Sequence, residues 1–184
     1  VSSYILFPFM MGLAMVAPAL IRLVLTEKWL PCVPYLRIIC FQFALQPIQT
    51  ANLQAIKAMG RSDLFLKLEV MKKIVGILSV VLVMRMGVMA IAVTGALYSI
   101  YASIVNSSPN RKLLEYGYKD QLRDLLPALG LSCAMGIIVG LVGCLQIPDF
   151  AILALQVMAG IIAYVVLSIV LKMEIFYYIL DLIK

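Results

Sequence analysis

Gln42, Gln46 and Gln49 are spaced four and three residues apart, with Thr50 beside the last, so a helix would gather all four on one face. Amides and hydroxyls both donate and accept, and such a face suits water or carbohydrate. The competing use is packing, in which buried amides bond between helices and contribute about 0.6 kcal/mol each in a membrane. Arg37 lies roughly opposite this face and nearer the outer end of its segment, where its guanidinium could bind an anion or reach the membrane interface. Lys57, Arg61 and Lys67 surround the break at Gly60-Arg61-Ser62-Asp63. Paired guanidinium donors match phosphate oxygens, although cations here also serve to orient a membrane protein. Asn52 and Gln54 fall near the inner end of the same segment, where solvation is the simpler expectation.

The elements carrying these groups are apolar. Hydrophobic residues make up 64% of the chain and mean hydropathy is +1.07, against roughly 45–50% apolar residues in soluble domains. A charge at bilayer depth costs about 2.5–3.5 kcal/mol on insertion scales, so polar residues gathered on one segment suggest a pathway rather than an anchor. The net charge of +6 comes from cations lying between apolar runs, which suits anionic lipid headgroups and not nucleic acid. Histidine is absent, and Cys32, Cys40, Cys133 and Cys144 show neither zinc spacing nor a disulfide framework, so no metal or cofactor is expected. The nine carboxylates sit in loops, at span ends or in the tail, which argues against an enzyme and against a carboxylate proton relay within the membrane.

A crossing needs about 20 residues. An all-α polytopic membrane protein is predicted, with six spans at residues 4–25, 32–56, 65–84, 88–105, 125–145 and 150–171 and an interfacial amphipathic tail at 173–184. A single span over 74–105 is rejected because it overshoots the bilayer and buries Arg85 beside Gly87. The charges agree with six spans. Lys57, Arg61, Lys67, Lys72, Lys73, Arg111, Lys112, Lys119, Arg123, Lys172 and Lys184 fall on one side, and Arg22, Lys28 and Arg85 on the other. By the positive-inside rule, both ends are expected to be cytoplasmic.

Pro8 and Pro18 should kink the first span, while Gly60 suits a left-handed helix end followed by a cap from Ser62 or Asp63. Ser132, Gly136, Gly140 and Cys144 recur every fourth residue as a ridge for close helix packing. A first residue other than Met, followed at once by a span, leads to the expectation of a fragment.

The order Glu27-Lys28-Trp29, Pro34-Tyr35-Leu36-Arg37-Ile38, Gln46-Pro47, Asn52, Gly60-Arg61-Ser62-Asp63, Leu66-Lys67-Leu68-Glu69 and Lys72-Lys73, with the later Glu115-Tyr116-Gly117-Tyr118, resembles Wzx-type polysaccharide biosynthesis proteins. These are oligosaccharide flippases of the multidrug/oligosaccharidyl-lipid/polysaccharide exporter superfamily. The resemblance implies the C-terminal part of a two-lobed transporter of about 14 helices working by alternating access. It also implies an undecaprenyl-pyrophosphate-linked oligosaccharide as cargo, the bacterial inner membrane as location, and an N-terminal lobe, membrane lipids and polysaccharide polymerase or export machinery as partners. Arg37 and Arg61 would then be candidate pyrophosphate contacts. A drug or small-cation exporter of the same superfamily, a membrane-embedded sugar transferase or polymerase, and an export-complex scaffold are the alternatives.

Overall fold

The computed structural model describes residues 1–113, 116–145 and 147–183; Glu115 of the loop quoted above and Lys184 lie outside them. The described residues form α-helices joined by turns and short 3-10 segments. Among the described residues, four helices are long and apolar enough to cross a membrane, spanning Ser2–Leu25, Val88–Arg111, Tyr118–Val142 and Asp149–Val170.

Helix α1, Ser2–Leu25, contains Pro8 and Pro18. Each proline lacks the amide that would serve the carbonyl four residues earlier, so Tyr4 and Ala14 lose their helical donors. The fold replaces both. The Tyr164 hydroxyl donates to the Tyr4 carbonyl at 2.6 Å, and Arg37 Nε donates to the Ala14 carbonyl at 3.2 Å.

The second predicted span is divided. Helix α2, Val33–Ala44, ends at a turn at Leu45, and α3 covers Gln46–Ala58. Pro47 explains the break, since it supplies no amide to the preceding turn and disfavours helical geometry at Gln46. Gly60 then ends α3 at φ 68°, with the Arg61 amide reaching the Ile56 carbonyl and the Gly60 amide the Lys57 carbonyl. Helix α4, Ser62–Val83, has no side-chain cap, contrary to the expected role of Ser62 or Asp63. Asp63 is engaged by Arg61 instead. A 3-10 turn at Met84–Met86 and Gly87 at φ 100° separate α4 from α5, Val88–Leu113.

Helix α5 runs eight residues beyond the predicted end of its span, and α6, Tyr118–Val142, starts seven residues before the next one. Helices α7, Asp149–Val170, and α8, Glu174–Ile183, complete the chain.

Packing divides the chain into two compact units. The first comprises Val1–Cys40 and Leu125–Lys184. Its core joins Val16 of α1 to Met135 and Val139 of α6, with Leu153 and Tyr164 of α7 against them. The small-residue ridge lies here. A Cβ added at Gly136 would come within 2.8 Å of Met11 Cγ, so this glycine is what admits α1 to α6. Ser132 is buried on the same ridge and Cys144 is exposed. The second unit, Phe41–Asp124, packs α3 and α4 on α5.

Candidate functional site

The predicted amide face meets different surroundings residue by residue. Gln42 Nε2 donates to the Ala92 carbonyl at 3.1 Å, and Gln49 Nε2 to the Ser99 carbonyl at 3.2 Å, both on α5. Gly95 makes the first approach feasible, since a Cβ there would lie 2.8 Å from Gln42 Nε2. Gln46 and Thr50 are exposed. Gln42 and Gln49 stand seven residues, two helical turns, apart and meet α5 carbonyls that are also seven apart, whereas Gln46 and Thr50 lie to one side of that line.

Seven and ten residues along from Gln42, the seam continues through Gln49 to Asn52, which is only 4% exposed and so corrects the expectation of solvation. Asn52 is a hub. Its Nδ2 donates to Gln121 Oε1 at 2.7 Å and to the Ile48 carbonyl at 2.9 Å. Its Oδ1 accepts from Gln121 Nε2 at 2.8 Å and from Asn110 Nδ2 at 2.6 Å. Gln121 Nε2 also donates to Ser107 Oγ at 3.2 Å. Three helices therefore converge through side-chain amides: the middle of α3, the end of α5 and the first turn of α6. From Ala92 to Asn110 the seam follows α5 for about 27 Å at 1.5 Å per residue. Gln54 is exposed, as solvation would have it.

Asn106, Ser107, Asn110 and Gln121 escaped the sequence reading because hydropathy ended one span at residue 105 and opened the next at 125. Their spacing could have exposed them, since Ser99, Ser103, Asn106, Ser107 and Asn110 lie on one helical face.

The cations have near partners. Arg37 is exposed in the first unit, and its Nε is the group that serves Ala14. In the second, Arg61 holds Asp63 through Nε–Oδ1 at 3.2 Å and Nη2–Oδ2 at 3.3 Å. This hydrogen bonding from Arg61 is the main cause that holds the Asp63 carboxyl below its ordinary range. Lys57 Nζ sits 4.4 Å from the Phe65 ring centroid, and Lys67 is exposed. A buried Lys72 pairs with Glu69 one turn away inside α4. At the start of α6, the Tyr116 hydroxyl donates to Asp124; burial first, then this bond, pushes the phenol up to about 12.

The first unit also holds an open apolar cavity of about 630 Å³ between α1, α6 and α7, lined by residues such as Phe9, Leu13, Met135, Val157 and Tyr164. Gln156 reaches it with Nε2 on the Val139 carbonyl at 3.1 Å. No group of three or more His, Cys, Asp or Glu side chains suited to a metal occurs among the described residues.

Comparison with known proteins now bears on this arrangement. The model of a family described as "Polysaccharide biosynthesis protein" matches residues 1–34. Over 175 residues the chain is 31% identical to the teichuronic acid biosynthesis protein TuaB of Bacillus subtilis (strain 168), covering 88% of this chain and 34% of that relative. The chain thus spans about a third of the relative's length. No solved structure matches it.

Proposed function

We propose, from the premise that this chain is a member of the polysaccharide biosynthesis family, that it forms part of a flippase for lipid-linked oligosaccharide. The similarity to TuaB over most of the chain carries this reading, and its membrane helices fit a polysaccharide exporter. In the proposed mechanism the full-length protein stands in a bacterial inner membrane, with six crossings in this part and both of its ends cytoplasmic. An undecaprenyl-pyrophosphate carrier keeps its chain in the apolar phase while the sugar headgroup passes through an alternating cavity.

The chemistry required of the protein is noncovalent. Sugar hydroxyls need amide and hydroxyl partners, and the exposed Gln46 and Thr50 have such groups available. Gln42 would hold α2, and Gln49 α3, to α5, and both could reach cargo by exchanging the α5 carbonyls for sugar hydroxyls. Arg37 retains its outer guanidinium nitrogens for an anion, whereas Arg61 would have to leave Asp63 to take a phosphate. Lys57 and Lys67 would add positive potential at the same edge.

The test uses full-length protein in sealed vesicles loaded with lipid-linked oligosaccharide. Protein-dependent exposure of chemically unchanged glycolipid to an impermeant glycosidase in the opposite leaflet is the expected result. A changed sugar would replace the flippase by a transferase or polymerase. No exposure, in vesicles where a control flippase works, would remove the reading.

A further inference from the structure

Among the described residues, the amide cluster at the end of α5 is incompletely bonded. Asn106 is fully buried, at 0% exposure, and neither its Oδ1 nor its Nδ2 has a partner among the described residues. Asn110, one turn along the same face, is 2% exposed and leaves its Oδ1 unpartnered. Amide orientation does not remove the deficit. Asn110 Nδ2 faces two oxygens of Asn52, at 2.6 and 3.2 Å, so reversing that amide would bring oxygen against oxygen. Asn106 is unpartnered among the described residues either way round.

Buried polar groups in folded proteins are bonded to protein or to ordered water, and exceptions are few. The unmet groups here are two carbonyl oxygens and one amide nitrogen. A cation would serve the oxygens and repel the nitrogen's hydrogens, and an anion would do the reverse. Water serves both kinds, because it donates and accepts.

We infer that the cluster is an internal hydration site, in which ordered water bonds Asn106 and the free oxygen of Asn110. Nothing in this depends on the transported cargo. The site adjoins Asn110, whose Nδ2 donates to Asn52 Oδ1, and Asn52 in turn ties the first turn of α6 to α3 through Gln121.

The test is a map of the full-length protein in nanodiscs, at a resolution that shows ordered water elsewhere in its interior. The expected result is a peak within about 2.7–3.2 Å of an Asn106 amide atom. A map that shows other buried waters and none here overturns the inference. So does a side chain from the rest of the protein bonded directly to Asn106, or a peak touching oxygens alone that appears only with sodium. Asn106→Leu supplies a second reading: with water present, expelling it leaves Asn110 short of a partner and lowers the unfolding midpoint. An unchanged or raised midpoint would mean that the asparagine sits dry, and a Leu variant that fails to fold leaves the decision to the wild-type map.

Discussion

The Tyr164 hydroxyl donates to the Tyr4 carbonyl at 2.6 Å, the acceptor that Pro8 deprives of its helical amide. Tyr4 in turn donates through its own hydroxyl to Ser168, so α7 grips one residue of α1 at both its backbone and its side-chain tip. Tyr164→Phe should destabilise the protein by about 1–3 kcal/mol, the cost of an orphaned buried carbonyl. Pro8→Ala restores the missing amide and should remove most of that cost in the double variant. Unfolding in detergent gives the cycle, and simple additivity would mean that the two residues are not coupled.

Arg37 stands in the same relation to Ala14 and Pro18, which lets structural and transport roles be separated. Arg37→Leu is expected to destabilise wild-type protein but to be nearly neutral for stability in a Pro18→Ala background. Flipping measured in that background then reports on anion binding alone. Full activity would remove Arg37 from the cargo path.

The amides should divide into two groups. Asn52→Leu orphans amide groups of Gln121 and Asn110, and an unfolding penalty of about 1–3 kcal/mol per orphaned group follows. Gln46→Leu and Thr50→Val, at exposed positions, should change stability by no more than about 0.5 kcal/mol. Loss of flipping in the latter pair without loss of stability would place them on the cargo path, and unchanged flipping would exclude them.

Gly136→Leu should weaken the α1–α6 contact, because even its Cβ would meet Met11 at 2.8 Å. Overpacking of this kind costs about 1–3 kcal/mol. Gly130→Leu, on the same helix with open space around it, is the control expected to leave the unfolding midpoint within experimental error.

The Tyr116 phenol is raised to about 12 from an ordinary 10, so its bond to Asp124 contributes fully below pH 10 and is lost as pH rises through about 12. Ultraviolet difference titration against Tyr116→Phe should show one phenol ionising about two units late. Asp63 runs the other way: its pairing with Arg61 contributes fully above the usual carboxylate value and is lost as pH falls through its own lowered one. Carbon-13 labelled aspartate, assigned by Asp63→Asn, should show that carboxyl titrating below the ordinary aspartate range, and an ordinary titration would dissolve the pair.

Much of the architecture was legible because hydropathy is a local property. Apolar runs long enough for a bilayer identify α1, α5, α6 and α7, while Gly60 at φ 68° sits where a left-handed helix end was expected. Pro47 divides the helix at Leu45, a break that hydropathy does not register, and on the polar face Gln42 and Gln49 bond to α5 while Gln46 and Thr50 are exposed.

From residue order alone come the helical class, the membrane setting, the two prolines that strip carbonyls of their amides, and the resemblance to polysaccharide biosynthesis proteins. Each rests on composition or short-range spacing. Tertiary structure alone decided who serves those carbonyls, Tyr164 and Arg37, and that Asn52, Asn110 and Gln121 meet. The reason is physical. Hydropathy measures the cost of leaving water and falls silent where α5 and α6 continue as polar helices, whereas a buried amide is stable only when partners distant in sequence arrive to bond it.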